Sequence, residues 1–235
     1  MQTYRPELVV YVDNGSSDDT ADRIAHVSRN SNLDILYYRI PKTTTLYRAR
    51  NIACSLVQTP YIAFLDVDDL WLPSKCYEQI QLLEASKSIV ATTDYYISTP
   101  SSKIHNIDST FFNTSDPLRL FKTYKVHFSS VVINLTRLNS RFPFDANLTI
   151  LGDLLFFILI ARSPHSVVTV HKPLSEYVYH DSNTGFHKFY LLFYESIVVF
   201  FSLLLTKPSQ ILSIVQLTYL LPVSYTHLTL PTILL

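Results

Sequence analysis

Tyr61-Ile62-Ala63-Phe64-Leu65-Asp66-Val67-Asp68-Asp69-Leu70-Trp71-Leu72-Pro73 is the stretch on which the fold reading turns. Tyr61 to Leu65 is a continuous apolar run, as expected of a strand buried on both faces. It stops at Asp66. If strand geometry persists to Asp68, Asp66 and Asp68 share a face while Val67 points away. Two carboxylates that close repel each other unless a cation sits between or beside them. A magnesium-type ion is held by one or two carboxylates plus substrate phosphates. Such an ion would neutralise a departing diphosphate as a Lewis acid. A plainer reading is also open: Asp68 and Asp69 form a turn and cap the helix that opens near Pro73.

Working outward, the same rhythm recurs. Upstream, Leu8 to Val12 is a second apolar run. It ends in the turn sequence Asp13-Asn14-Gly15-Ser16-Ser17, where Ser17 is placed to cap a helix and Asp18 and Asp19 suit its positive end. Ala21, Ile24, Ala25 and Ser28 then fall at helical spacing. Ile35 to Tyr38 reads as a short strand, and Leu46, Ala49, Ala53 and Leu56 mark a second helix. Downstream, Ile80 and Leu83 continue a helix and Ile89 to Thr93 is a fourth strand. Strand and helix in alternation predict an α/β fold with a mostly parallel sheet and flanking helices. Ligands of such sheets bind at the carboxyl ends of strands, where Asp13 and Asp66 both stand.

The second half is less regular. Ser115-Asp116-Pro117 is a helix start before Leu118 to Tyr124. Val131 to Ile133 suits a strand, Leu151 to Ala161 a buried helix, and Val167 to Val170 and Leu174 to Tyr179 two further strands. From Phe186 to Leu221 the chain is rich in Phe, Leu and Val. Its densest part, Phe189 to Leu205, carries a single charge at Glu195 and lies near the lower limit for spanning a bilayer. A packed or interfacial helix is the preferred reading.

Composition removes several classes. Hydrophobic residues make up 48% and charged residues 16%, which supports a large core and argues against disorder. Lys plus Arg equals Asp plus Glu at 19 each, so there is no electrostatic footprint for nucleic acid. Glycine occurs only at Gly15, Gly152 and Gly185, too few for a P-loop or a dinucleotide fingerprint. Cys54 and Cys76 lack metal-ligand spacing and read as reduced packing residues.

Three blocks together carry a family resemblance. They are Val12-Asp13-Asn14-Gly15-Ser16-Ser17-Asp18-Asp19-Thr20, then Ala49-Arg50-Asn51, then Phe64 to Lys75 with Asp66-Val67-Asp68-Asp69 at its centre. In order and spacing they resemble family 2 glycosyltransferases, which have the Rossmann-like GT-A fold. The resemblance implies that Asp13 accepts hydrogen bonds from a nucleotide and that Arg50 faces its diphosphate or base. It implies Asp68 as direct ligand of Mg2+ or Mn2+, and Asp66 on the ribose or the metal's water shell. Asp69 and Trp71 are assigned to structure. For Asp13 the plainer alternative is that it caps its own turn; for Arg50, that it is an ordinary helix-surface arginine.

The family also uses a carboxylate base in a Glu-Asp pair after a Phe-Asp-x-x-Leu element. Phe144-Asp145-Ala146-Asn147-Leu148 matches that element, and the pair is here Gly152-Asp153. The resemblance therefore implies Asp153 as the base that takes the acceptor's proton. Burial would raise its pKa while the helix N-terminus would oppose that. Tyr177-Val178-Tyr179-His180-Asp181-Ser182-Asn183-Thr184 is similar to a Tyr-Arg-x-His-x-x-Ser stretch of the family, with Val178 in place of Arg and His180 implied near the metal or diphosphate; a polar packing histidine is the alternative.

The implied activity is an inverting transfer of a sugar from a nucleotide-diphosphate sugar, UDP favoured, to a hydroxyl of a saccharide or lipid-linked acceptor in cell-surface polysaccharide synthesis. The expected location is cytoplasmic, at the inner face of the cell membrane, with peripheral membrane contact and no nucleic-acid partner. The family's first strand, central between those ending at Asp13 and Asp66, has no counterpart in this sequence. The expected division is 1–185 as catalytic domain, 186–222 as an apolar helical segment and 223–235 as a non-native tail, since Val223 to Thr232 resembles a translated sequencing adapter. A non-catalytic scaffold of the same fold is the runner-up. A haloacid-dehalogenase-type phosphatase also uses Asp-x-Asp after a strand, but wants Gly-Thr next, where Asp69-Leu70 stands.

Overall fold

Neighbouring residues of the central strands go to opposite hydrophobic layers. Val131 and Ile133 join one cluster and Val132 the other; Val90 joins the first and Ala91 the second. That split follows from the two-residue period of a strand and accounts for unbroken apolar runs. In the computed structural model, which describes residues 2–106, 119–120, 123–138, 140, 143–161, 163, 165–179 and 189–206, these strands form a sheet covered on both faces.

The described elements are β1 (Val9–Asp13), α1 (Thr20–Asn30), β2 (Ile35–Arg39), α2 (Leu46–Leu56), β3 (Tyr61–Ala63), β4 (Leu70–Trp71), α3 (Lys75–Ser86), β5 (Val90–Ser98) and β6 (Lys103–Asn106). A 3-10 turn (Phe128–Ser130), β7 (Val132–Asn134), α4 (Leu135–Leu138), α5 (Gly152–Ile160), β8 (Val167–Val178) and α6 (Phe189–Thr206) follow. β1 and β2 pair in parallel as a two-stranded sheet. The larger sheet runs β3-β7-β5-β8-β4, with β6 also on β5.

The α/β class stands, but the sheet is mixed rather than mostly parallel. β5 and β8 pair in parallel, whereas β3–β7, β5–β7, β5–β6 and β4–β8 are antiparallel. A parallel pair needs a crossover of a dozen or more residues. α1 supplies one between β1 and β2. The link from β5 to β6 is a tight turn, closed by Thr99 N–H donating to Ser102 O at 2.8 Å, and it permits only a hairpin.

Other expectations shift in detail. Val167 to Tyr179 is essentially one strand, not two. The β5–β8 register slips on both sides of Asp94, which absorbs Pro173 opposite it as a bulge. β1 is only half-buried until Asp13, because among the described residues β2 is its sole strand partner and α1 buries no residue. Ser17 does not cap α1; Asp18 Oδ1 instead accepts from Thr20 N at 3.1 Å. Of the helix expected at 118–124, residues 119, 120 and 123 are helical, and its start at 115–118 lies outside the described residues.

The larger core lies on the face covered by α2, α5 and α6. Leu154, Leu155, Phe156, Phe157, Ile158 and Ile160 of α5 are all buried in it. α6 adds Leu192 and Val199, on the same face as buried Glu195 and Ser196, which is the i, i+3, i+4, i+7 stripe of a packed helix. Among the described residues no helix is long and apolar enough to cross a membrane. α3 covers the opposite face through Leu83 and Ile80. Cys54 and Cys76 are free and buried, and burial pushes the Cys54 thiol up to about 12.

Candidate active site

β3 ends at Ala63, and the chain leaves the sheet before it reaches the acidic residues. The expected strand through Asp66 and Asp68 is therefore a turn, closed by Asp69 N–H donating to Asp66 O at 3.1 Å. Its tip is Val67, 85% exposed, beside exposed Asp68. Asp66 is half-exposed. Asp69 points inward. One of its oxygens accepts from Ser129 Oγ at 2.5 Å and lies 3.0 Å from His127 Nε2; the other takes Val178 N–H at 3.4 Å.

Ser129 fixes the turn from three directions. Its Oγ accepts the Asp66 N–H at 3.0 Å while donating to Asp69, and its carbonyl accepts Trp71 Nε1–H at 2.7 Å. Asp69 and Trp71 thus serve structure, and Asp66 and Asp68 face outward. The turn reading is met by Asp69, whose inward carboxylate shapes the turn, while Asp66 and Asp68 lie at its surface.

Arg50 stands on α2 with its guanidinium 3.8 Å from the Phe128 ring centroid and 5.5 Å from that of Tyr47. It is not an ordinary surface arginine: only 7% of the residue is exposed. Its Nη2 reaches Asp66 Oδ1 at 3.2 Å. Phe128 is in turn braced by Phe64 and Phe144, at 4.8 and 5.5 Å between ring centroids. An aromatic floor therefore holds the cation rigid and partly desolvated, which strengthens any interaction with an anion.

Asp153 lies in the first turn of α5. Its Oδ1 accepts Tyr47 O–H at 3.0 Å and Leu154 N–H at 2.8 Å. Dense packing around it raises its pKa; the Arg50 charge is the largest opposing influence, followed by the Leu154, Tyr47 and Tyr124 hydrogen bonds. Gly152 has a steric cause. A Cβ there would lie 2.5 Å from Tyr47 Cδ2, so the ring fills the space that a side chain would need. Asn51 completes the support: its amide donates to Phe144 O at 2.7 Å and accepts Phe144 N–H at 3.0 Å.

Asp13 is buried at the end of β1. Its oxygens accept Ser16 N–H at 2.8 Å and the Tyr37 hydroxyl, with Arg39 Nε 3.8 Å away. The Ser16 bond first, then Tyr37, hold its carboxyl below the usual range. In this state Asp13 caps its own turn, the plainer of the two readings. Gly15 sits in that turn at φ 70°, where a Cβ would meet Lys42 N at 2.8 Å. α2 packs on β1, so the helix carrying Arg50 links the Asp13 turn to the acidic turn. His180 lies outside the described residues.

A divalent cation fits the outward donors. Asp66 and Asp68 offer hard carboxylate oxygens at the surface of a turn stiffened by Ser129 and Asp69. Mg2+ or Mn2+ needs no more than one or two such carboxylates when phosphate oxygens and water complete the shell. Among the described residues no cluster of three or more His, Cys, Asp or Glu forms a closed metal cage. Tyr47, His127, Phe128 and Ser129 were not legible beforehand. Tyr47 adjoins the Ala49-Arg50-Asn51 block, a signal that could have drawn attention to it; the other three lie some 60 residues from the turn they support.

Comparison with known proteins bears on the family and the fold. The model of glycosyl transferase family 2 matches residues 1–143. An Escherichia coli UDP-Glc:alpha-D-GlcNAc-diphosphoundecaprenol beta-1,3-glucosyltransferase, WfaP, is 34% identical over 96 residues, covering 41% of this chain and 37% of its own. A Rickettsia felis glycosyltransferase is 27% identical over 177 residues, covering 75% of this chain and 29% of its own. This chain thus spans about a third of the length of these relatives. The structure of S. aureus TarS 1-349 in complex with UDP-GlcNAc superposes with a TM-score of 0.61 at 15% identity, covering 83% of this chain and 59% of that one. It shares the fold.

Proposed function

This chain belongs to glycosyl transferase family 2, and from that premise we propose that it is an inverting, metal-dependent transferase of a hexose from a UDP-sugar to an acceptor hydroxyl. The observation that carries the reading is the placement of Arg50. It pairs with Asp66 on one side, and its charge is felt by Asp153 on the other. One cation thus adjoins both the candidate donor site and the candidate base.

Arg50 exchanges its Asp66 partner for donor phosphate oxygens, which guanidinium groups bind with matched geometry. Asp66 and Asp68 would hold the divalent ion, which would supply Lewis-acid neutralisation of the leaving diphosphate. Asp153 accepts the proton of the acceptor hydroxyl. The acceptor oxygen attacks the anomeric carbon from the face opposite the diphosphate, the bond to UDP breaks, and the configuration inverts. The raised pKa of Asp153 makes it a stronger base than an exposed aspartate. His180 is proposed near the metal or diphosphate, on the family resemblance.

The E. coli relative is named for a lipid-linked diphosphate acceptor and for UDP-Glc. We extend that chemistry to this chain as a saccharide or lipid-linked acceptor in cell-surface polysaccharide synthesis, reached at the inner membrane face. Exposed Phe193 and Tyr194 on α6 suit peripheral contact there.

One observation favours a second reading, a nucleotide-binding scaffold without transfer: Gly152 stands where the family has Glu. Titration of the full chain with UDP, with and without manganese, repeated for Asp68→Ala, decides the donor site. Metal-dependent binding lost in Asp68→Ala, with UDP release from UDP-glucose or UDP-N-acetylglucosamine in the presence of acceptor, supports transfer. Binding without turnover selects the scaffold. No binding to any nucleoside diphosphate overturns both.

A further inference from the structure

Glu195 is the single charged residue of α6, and only 1% of it is exposed. A carboxylate is costly to bury unless its charge is met by partners. Among the described residues it is met by backbone N–H groups. Oε1 accepts Thr149 N–H at 2.6 Å; Oε2 accepts Ile150 N–H and Leu151 N–H, both at 2.8 Å. Three donors in a row from one turn, taken by one carboxylate from a helix more than 40 residues away, form a specific clamp.

The clamped turn leads straight into α5. Leu151 occupies the N-cap position of that helix and offers no side-chain oxygen. Asp153, two residues on, is therefore aimed by whatever fixes residues 149–151. α2 grips the carbonyl side of the same segment: Asn51 takes Phe144 O, Thr45 takes Ala146 O, and Tyr47 takes Ile150 O at 2.7, 2.8 and 2.6 Å. Glu195 grips the N–H side. The two sets are complementary, and without Glu195 three N–H groups of the turn lose their acceptor in a largely apolar surround.

We propose that Glu195 is a positioning residue for Asp153, which makes α6 a working part of the active site rather than only an apolar cover. This rests on the reading of Asp153 as base. Glu195 touches neither donor nor acceptor; it acts through the Thr149–Leu151 turn.

The test uses the full chain and Glu195→Gln, with Glu195→Asp as a second variant that keeps the charge on a shorter stem. Gln retains one acceptor oxygen but turns an NH2 toward N–H donors. Backbone hydrogen exchange across 144–154 should quicken by about tenfold or more in Glu195→Gln, with exchange in β5 unchanged. UDP binding with manganese and the donor KM should stay within about twofold, while kcat falls by about tenfold or more. Glu195→Asp should lie between wild type and Glu195→Gln in both readouts. Unchanged exchange overturns the clamp. Faster exchange with unchanged kcat overturns the positioning role. If Glu195→Gln fails to fold, Glu195→Asp decides by the same two criteria. A wild-type chain that binds UDP but transfers to no acceptor sinks the base assignment and the positioning claim with it; the exchange result still reports on the clamp alone.

Discussion

The Tyr47 hydroxyl bridges Ile150 O and Asp153 Oδ1, at 2.6 and 3.0 Å, while its ring lies against Gly152. One side chain of α2 thus replaces the volume of a residue-152 side chain and orients residue 153. The base candidate is held by a neutral donor on one side and approached by the Arg50 charge on the other. Both stabilise its ionised form, and burial still outweighs them.

That balance has a consequence for stability. The folded pKa of Asp153 is raised, so the folded state binds more protons than the unfolded state between the unfolded value, about 3.9, and the folded one. Stability therefore falls as pH rises through that window, and the loss persists above it. Asp153→Asn removes the titration while keeping an oxygen for Tyr47 and Leu154. Its Tm should exceed that of wild type at pH 7 to 8, with the gain vanishing near pH 4, and its turnover should fall by about 100-fold or more. Thermal melts across pH together with UDP-release rates check this. A variant less stable than wild type at pH 7 would contradict the buried-carboxylate account.

Gly152→Ala tests the packing of Tyr47. The added methyl carbon would stand 2.5 Å from the ring, closer than carbon atoms approach. Either the ring or α5 must shift, and overpacking of this kind costs about 1 to 3 kcal/mol. Urea unfolding should show that loss. Pairing the change with Tyr47→Leu should return part of it, since the narrower side chain yields space. If Gly152→Ala is neutral, the ring is not where the structure places it.

Asp68 and Asp69 are adjacent and should behave in opposite ways. Asp69 is engaged with Ser129, His127 and the Val178 N–H. Without the Asp69 carboxylate the buried Ser129 hydroxyl and the Val178 N–H lose their acceptor, which costs about 1 to 3 kcal/mol. Asp69→Ala should therefore unfold at lower urea. Asp68→Ala, at an exposed turn position, should change stability by no more than about 0.5 kcal/mol, yet lose metal-dependent UDP binding. The pair of unfolding curves, read beside the two UDP titrations, separates shaping the turn from using it.

Much of this was legible because local chemistry and burial agreed. Of the runs Leu8 to Val12 and Val131 to Ile133, all but the first residue of each falls on a strand, and Leu151 to Ala161 brackets the buried helix Gly152–Ile160. The acidic turn was legible as a site but not as a shape. Asp66-Val67-Asp68 fits strand alternation in one dimension, and only the bonds from Ser129 show why the chain turns early. Residues joined across 60 positions leave no periodic trace. The antiparallel pairings were hidden for a related reason: apolar runs report burial on two faces but not strand direction. Glu195 was visible as the lone charge in an apolar segment; its role needed the turn it holds.

Arg50→Lys is the sharpest test of the site's electrostatics. Lysine keeps the charge but not the planar group that lies 3.8 Å from the Phe128 centroid. A flexible ammonium is more strongly hydrated and makes no forked contact with phosphate. The forked contact with the donor phosphate and the stacking on the aromatic floor would both weaken, by about 1 to 2 kcal/mol together. UDP should bind about tenfold less tightly, since 1.4 kcal/mol is a factor of ten. The Arg50 charge also holds the Asp153 pKa down, so a displaced or more hydrated cation lets it rise. The acidic limb of the kcat profile should then move to higher pH, because the base must be ionised to act. Calorimetry with UDP and a pH–rate profile provide the two measurements. Weaker binding with an unmoved acidic limb would place Arg50 on the donor alone and detach it from Asp153.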